Sequence, residues 1–206
     1  MKIVKVHEPR WPAIVAMLAD GLIYLALPDR LAFGPAWGLL AILFVLLIPI
    51  IFTYRLGRYD ITRILTFGAN GVITAALIGS LGLLIESLPH HTESPDVLLK
   101  SAGLLWITNV LVFALWYWKL DAGGPLGRAQ PGAKSSFLFP QMMREGDEAW
   151  SPMFLDYLFL AFNTSTAFSP TDTAVLSRWA KVLMMLQSVI SLSIIALLAA
   201  RAVNIL

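Results

Sequence analysis

Apolar residues run along the chain in six blocks, and polar residues gather mostly at the joints between them. The first block runs from Trp11 to about Leu27 and stops at Leu27-Pro28-Asp29-Arg30, a turn signal carrying a charge pair. The second, Trp37 to Thr53, closes at Tyr54-Arg55, and the third spans Ile64 to Leu88. A fourth opens at Ser94-Pro95-Asp96, an N-cap followed by proline at the first helical position, and ends in the aromatic belt Trp116-Tyr117-Trp118-Lys119. Ser151-Pro152 opens a shorter block reaching about Phe168, and Ser177-Arg178 opens the last, which reaches about Val203. Blocks this apolar on every side predict helices that face lipid, since about 20 such residues cross the hydrocarbon layer.

Composition strengthens that reading. The 206 residues are 58% hydrophobic and 14% charged, with mean hydropathy +0.74, more apolar surface than a soluble core hides. The expected fold is all-α: a polytopic membrane helix bundle forming one domain over residues 1–206, with a four-helix part (1–118), a long loop (119–150) and a helical hairpin (151–206). Uncleaved helical character is expected for the first block, because Asp20 interrupts it and no Ala-x-Ala site follows.

The net charge of +2 reports topology. Lys2, Lys5 and Arg10, then Arg55, Arg58 and Arg63, then Lys119, Arg128, Lys134 and Arg144 occupy alternate joints, against Arg30 and Lys100 in the others. The positive-inside rule places the N-terminus and the long loop in the cytoplasm of a multi-pass cell-membrane protein. Six spans with both termini inside fit that split better than five spans plus a re-entrant helix. Residues 152–168 would then be a short span of about 25 Å.

The stretch from Phe154 to Asp172 reads Phe-Leu-Asp-Tyr-Leu-Phe-Leu-Ala-Phe-Asn-Thr-Ser-Thr-Ala-Phe-Ser-Pro-Thr-Asp. It resembles, without a gap, the pore helix and filter of two-helix potassium channels, F-x-D-A-L-Y-F-S-F-x-T-x-T-T-V-G-Y-G-D, with Phe154, Asp156, Phe162, Thr164, Thr166 and Asp172 identical. The likeness continues through Ala180-Lys181 into an inner-helix-like segment and covers about a quarter of the chain. The whole chain also resembles small bacterial polytopic membrane proteins carrying the same Thr-Ala-Phe-Ser-Pro-Thr-Asp run. The resemblance implies a tetrameric pore for monovalent cations. Ser169, Pro170 and Thr171 stand where that family has Gly-Tyr-Gly, and a proline beside a β-branched residue resists the positive-φ backbone that stacks filter carbonyls. A pore built here would be lined by the hydroxyls of Thr164, Thr166, Ser169 and Thr171, with Asp172 as a carboxylate ring, and would select weakly among cations. The alternative is a nonconducting scaffold or accessory subunit, the Ser/Thr-rich turn simply capping a hairpin.

Three further features carry chemistry. Asp20, mid-span, costs about 2.5–3.5 kcal/mol if charged and facing lipid, so it should face the bundle, with Asn70, Asn109 and Gln187 as candidate companions. Gly71, Ala75 and Gly79, four residues apart, put small residues on one helix face where another backbone can approach. His90 and His91 sit near Glu86, Glu93 and Asp96, but adjacent histidines diverge, so a solvated loop is expected and no metal site. The chain has no cysteine, phosphate-binding glycine loop or serine–histidine arrangement, and no basic patch interleaved with aromatics. Neither enzymatic activity, nor a cofactor, nor nucleic-acid binding is expected; the expected partners are the bilayer and further copies or subunits of a membrane complex.

Overall fold

The computed structural model describes residues 8–90, 94–130, 132–144, 150–166 and 172–203. The architecture is all-α, with helices α1 (Trp11–Leu25), α2 (Gly38–Arg55), α3 (Tyr59–His90), α4 (Pro95–Leu120), a one-turn α5 (Pro125–Arg128), α6 (Phe154–Thr166) and α7 (Arg178–Val203). One two-residue antiparallel ladder joins β1 (Phe137–Leu138) to β2 (Ala174–Val175), with Phe137 opposite Val175. Four of the helical stretches are long and apolar enough to cross a membrane: Gly38–Arg55, Tyr59–Ser87, Asp96–Arg128 and Arg178–Ala199; Trp11–Leu25 is apolar but shorter.

Local chemistry sets the boundaries. Proline sits in the first turn of α1, α4 and α5, where its missing N–H has no intrahelical acceptor to lose. α2 ends at Gly57 in the left-handed region, φ 71°, and the N–H groups of Leu56 and Arg58 turn back onto the carbonyls of Phe52 and Thr53. That turn lays α3 antiparallel against α2. Pro49 lies inside α2, and the Thr53 hydroxyl bonds the Pro49 carbonyl (2.7 Å) while sitting 2.9 Å from the Thr62 hydroxyl of α3.

Contacts between elements fix the direction of each helix. Arg10 stacks over the Tyr54 ring at 3.9 Å, the Trp118 indole N–H donates to Glu8, and Thr53 meets Thr62. The start of α1, the end of α2, the start of α3 and the end of α4 therefore share one end of the bundle. At the opposite end the backbone N–H of Phe33 donates to the Tyr24 hydroxyl (2.7 Å), and the Phe33 ring lies where a Cβ on Gly79 would stand. Most described cations lie at the first end, so the alternation read from the sequence reappears in the fold. We call it the basic end.

Phe154 packs edge-on against Trp118 (6.0 Å between centroids) and Tyr157 against Phe137 (6.1 Å), so α6 starts at the basic end. Trp179 also packs against Phe137 (6.0 Å), so α7 starts there too. Farther in, Gln187 of α7 bonds the carbonyl of Ala161, and Ser191 that of Ser165. The two helices run parallel, and β2, paired with β1, lies at the end from which α6 departed. Six alternating spans require α6 and α7 to run antiparallel. Here α6 is 13 residues long, about 20 Å, and its successor begins beside its own start.

Two expectations change. Gly71 and Ala75 are exposed, and nothing lies within 4 Å of a Cβ built on Gly71; the buried face of α3 carries Ile73 and Leu77, 0% and 1% exposed. The small-residue stripe is not packed within the chain except at Gly79, because the larger residues bury more apolar area. The long loop carries an apolar patch, Phe137–Pro140, whose sequence alone reads as a loop docking at the membrane interface; it is instead core at Phe137 and Phe139, which cluster with Tyr117, Tyr157, Trp150 and Trp179. Residues 121–130 and 132–143 form a folded cap over the basic end.

Candidate functional site

The inner end of α6 is held by a buried polar network drawn from three helices. Gln187 donates through Nε2 to the Ala161 carbonyl (2.7 Å) and the Ser165 hydroxyl (2.7 Å), and accepts from the Tyr117 hydroxyl (2.5 Å) through Oε1. Asn109 donates to the Gln187 carbonyl (3.3 Å) and to Ser165 (3.4 Å). Ser191 donates to the Ser165 carbonyl (2.6 Å) and accepts from the Trp106 indole (3.1 Å). A helix that stops inside a bundle leaves its last carbonyls without intrahelical donors. In lipid such groups must be bonded by protein, and Ser191 does this at Ser165.

At the basic end Asp121 organises the cap. Its carboxylate, fully buried, accepts from the Ser135 hydroxyl (2.8 Å to Oδ2), the Ser136 N–H (2.5 Å) and the Tyr157 hydroxyl (2.6 Å). Arg128 forms a two-pronged ion pair with Glu8 (3.0 and 2.8 Å), donates to the Trp118 carbonyl (2.7 Å), and lies 5.0 Å from the Tyr157 ring centre. Ala122 adopts φ 48° to make the tight reversal after α4. These contacts tie α1, α4, the cap and α6 together.

The candidate residues fall in different places. Thr164 and Thr166 are on α6, their hydroxyls donating back to the carbonyls of Leu160 (2.8 Å) and Asn163 (3.2 Å). Asp172 is exposed at the basic end. Ser169, Pro170 and Thr171, like His91 and Glu93, lie outside the described residues, and of the His90 side chain nothing is described. Asp20 is fully buried, as expected, but neither of its oxygens has a partner. Of its expected companions, Asn109 and Gln187 are joined to each other, and Asn70 is buried with both side-chain atoms unpartnered. Among the described residues no group of three His, Asp or Glu side chains could hold a metal ion.

Tyr117, Ser165, Ser191, Asp121, Tyr157, Glu8 and Arg128 were not visible as site residues. Their partners lie up to 120 positions away, and even those of Asp121 at Ser135 and Ser136 are 14 and 15 away, beyond the reach of any local periodicity. Asp121 directly after an aromatic belt was the one available signal, a carboxylate at the end of an apolar run. No protein-family model, no curated protein and no solved structure matches the chain.

Proposed function

We propose that the chain is a multi-pass cell-membrane protein that crosses the bilayer five times, through α1, α2, α3, α4 and α7. On this reading α6 is a re-entrant helix that enters and leaves at the cytoplasmic, basic end, and the segment from Phe154 to Asp172 lines a weakly selective cation pore in a homo-oligomer. The observation that carries the reading is the parallel course of α6 and α7, with the return chain held at β2. A pore helix followed by an extended return is the arrangement the sequence resemblance implies for these residues. Entry from the basic end is the inverse of that family's, where the filter faces outward.

Oligomerisation is supported by α7, whose Val182, Met185, Val189 and Leu192 are 57–67% exposed at spacings of three and four, a stripe along one face. A second reading, a nonconducting scaffold, is favoured by a separate observation. Gln187, Thr166 and Ser191 donate to the carbonyls of Ala161, Asn163 and Ser165, which quenches the partial negative charge that the end of a half-helix otherwise offers a cation. Such a scaffold would associate through the outward Gly71/Ala75 face.

Reconstituted liposomes with potassium and sodium gradients separate the two. The pore reading expects flux with little discrimination between the ions, reduced by Asp172→Asn and reduced more at low salt, where a surface carboxylate is least screened. A scaffold gives no flux from folded protein before or after the change.

A further inference from the structure

A second feature of the bundle owes nothing to α6. Between α1, α2, α3 and α4 lies a cavity of about 360 Å³, within the range of small-molecule pockets, about 300–1,000 Å³. Its walls are apolar: Met17 from α1, Leu47, Ile50 and Ile51 from α2, and Leu115 from α4. On α3 the residues facing it are Thr62, Thr66 and Asn70, four apart and therefore one above another. The two threonines are satisfied locally, donating to the carbonyls of Arg58 (3.1 Å) and Thr62 (2.7 Å). Asn70 is not. It is 1% exposed and its amide nitrogen and oxygen both lack partners, which is costly for a buried amide.

The mouth of the cavity has the opposite character. Arg10, Thr62 and Lys119 line it and also line an adjoining vestibule with Arg63, Tyr59 and Asp60. Lys119 stands in the field of Arg10, Arg63 and Arg128, all of one sign. Glu8 is committed to Arg128, which leaves Asp60 as the acid lining the vestibule. Burial and the Arg128 charge lower the Arg10 pKa, against the pull of Tyr54, Glu8 and Tyr59.

From the cationic mouth, the apolar shaft and the unpartnered amide beyond it, we infer that this cavity binds a small amphipathic organic anion. Its charged head sits among Arg10, Arg63 and Lys119, its apolar body runs along the shaft, and a hydrogen-bonding group meets Asn70. From Thr62 to Asn70 the helix rises about 12 Å, the reach of a medium-chain acid. The same head-group chemistry comes from two sources, a soluble acid or an anionic lipid of the facing leaflet.

Calorimetric titration of the full chain in phosphatidylcholine nanodiscs tests this with octanoate, ω-hydroxyoctanoate and octanol. The hydroxy acid should bind best. Loss of its terminal hydroxyl should weaken binding about threefold to tenfold, the worth of one buried hydrogen bond, and octanol, without the charge, should bind weakest. Asn70→Leu should abolish the difference between the two acids while leaving the fold as stable or more so, since it removes an orphaned buried amide. Arg63→Gln, at an exposed position, should abolish most of the preference for octanoate over octanol. If phosphatidylglycerol nanodiscs block the acids in wild type and Arg63→Gln relieves the block, the site takes its head group from lipid; if they do not block, it takes a soluble acid. Absence of binding in both nanodiscs, or binding indifferent to both substitutions, overturns the inference and leaves Asn70 facing water alone.

Discussion

Replacing Asp121 by alanine is expected to release the cap from the basic end and to destabilise the protein by about 3 kcal/mol or more. The carboxylate holds donors from Ser135, Ser136 and Tyr157 while fully buried. Its removal strands the Ser136 N–H and the Tyr157 hydroxyl, each costing about 1–3 kcal/mol when left buried without an acceptor. Ser135 retains the Phe137 carbonyl (2.8 Å) as an alternative. Asp156→Ala is the control, because that carboxylate accepts one exposed N–H, from Met153 (2.7 Å), and losing a cap of this kind costs about 1 kcal/mol. Thermal unfolding in mild detergent should place the Asp121 variant well below the Asp156 variant; equal midpoints would show that the cap is not tied down by the carboxylate.

The second large effect is expected at Gln187. Leucine there has nearly the same volume but removes one acceptor and two donors from the network that seats α6 against α7. Hydrogen bonds between helices within a membrane average only about 0.6 kcal/mol and reach about 1.7, because the unfolded reference also finds partners in lipid. Three bonds lost together therefore cost about 2–4 kcal/mol, mostly by orphaning the buried Tyr117 hydroxyl. Titration with a denaturing detergent reads this, with Met185→Leu, at a position 60% exposed, as the control expected to be silent. A Gln187→Leu variant as resistant as the control would mean that apolar packing alone holds α6 in place.

The bundle was legible where lipid dictates the pattern. Each apolar block became a helix, with boundaries within a few residues of those read from caps, prolines and aromatic belts, because a backbone in hydrocarbon has no other way to satisfy itself. The charge alternation was legible for the same reason, and the described residues of the loops grouped by it lie at one end of the fold. The course of α6 was not. A 13-residue apolar helix is equally a short span or a half-entry, and the observations that bear on the choice, the pairing of Phe137 with Val175 and of Gln187 with Ala161, are contacts between segments far apart in sequence. The small-residue stripe misled for a related reason. Spacing identifies a smooth face, but the face that turns inward is the one with more apolar area to bury, at Ile73 and Leu77. The aromatic cap was hidden because Phe137 and Phe139 look like a surface patch until Tyr157 and Trp179 arrive from α6 and α7.

The return of the chain to the basic end is tested most directly by which side of the membrane residue 174 faces. The chain contains no cysteine, so a single one introduced at Asp29, Leu56, Gln130 or Ala174, all exposed, is the only thiol of the purified chain that a membrane-impermeant maleimide applied beforehand to intact cells can have labelled. With α6 re-entrant and the basic end cytoplasmic, only Asp29→Cys is labelled from outside, and Leu56→Cys, Gln130→Cys and Ala174→Cys react only after permeabilisation. Labelling of Ala174→Cys together with Asp29→Cys, with Gln130→Cys protected, would make residues 154–166 part of a complete span and contradict the re-entrant hairpin.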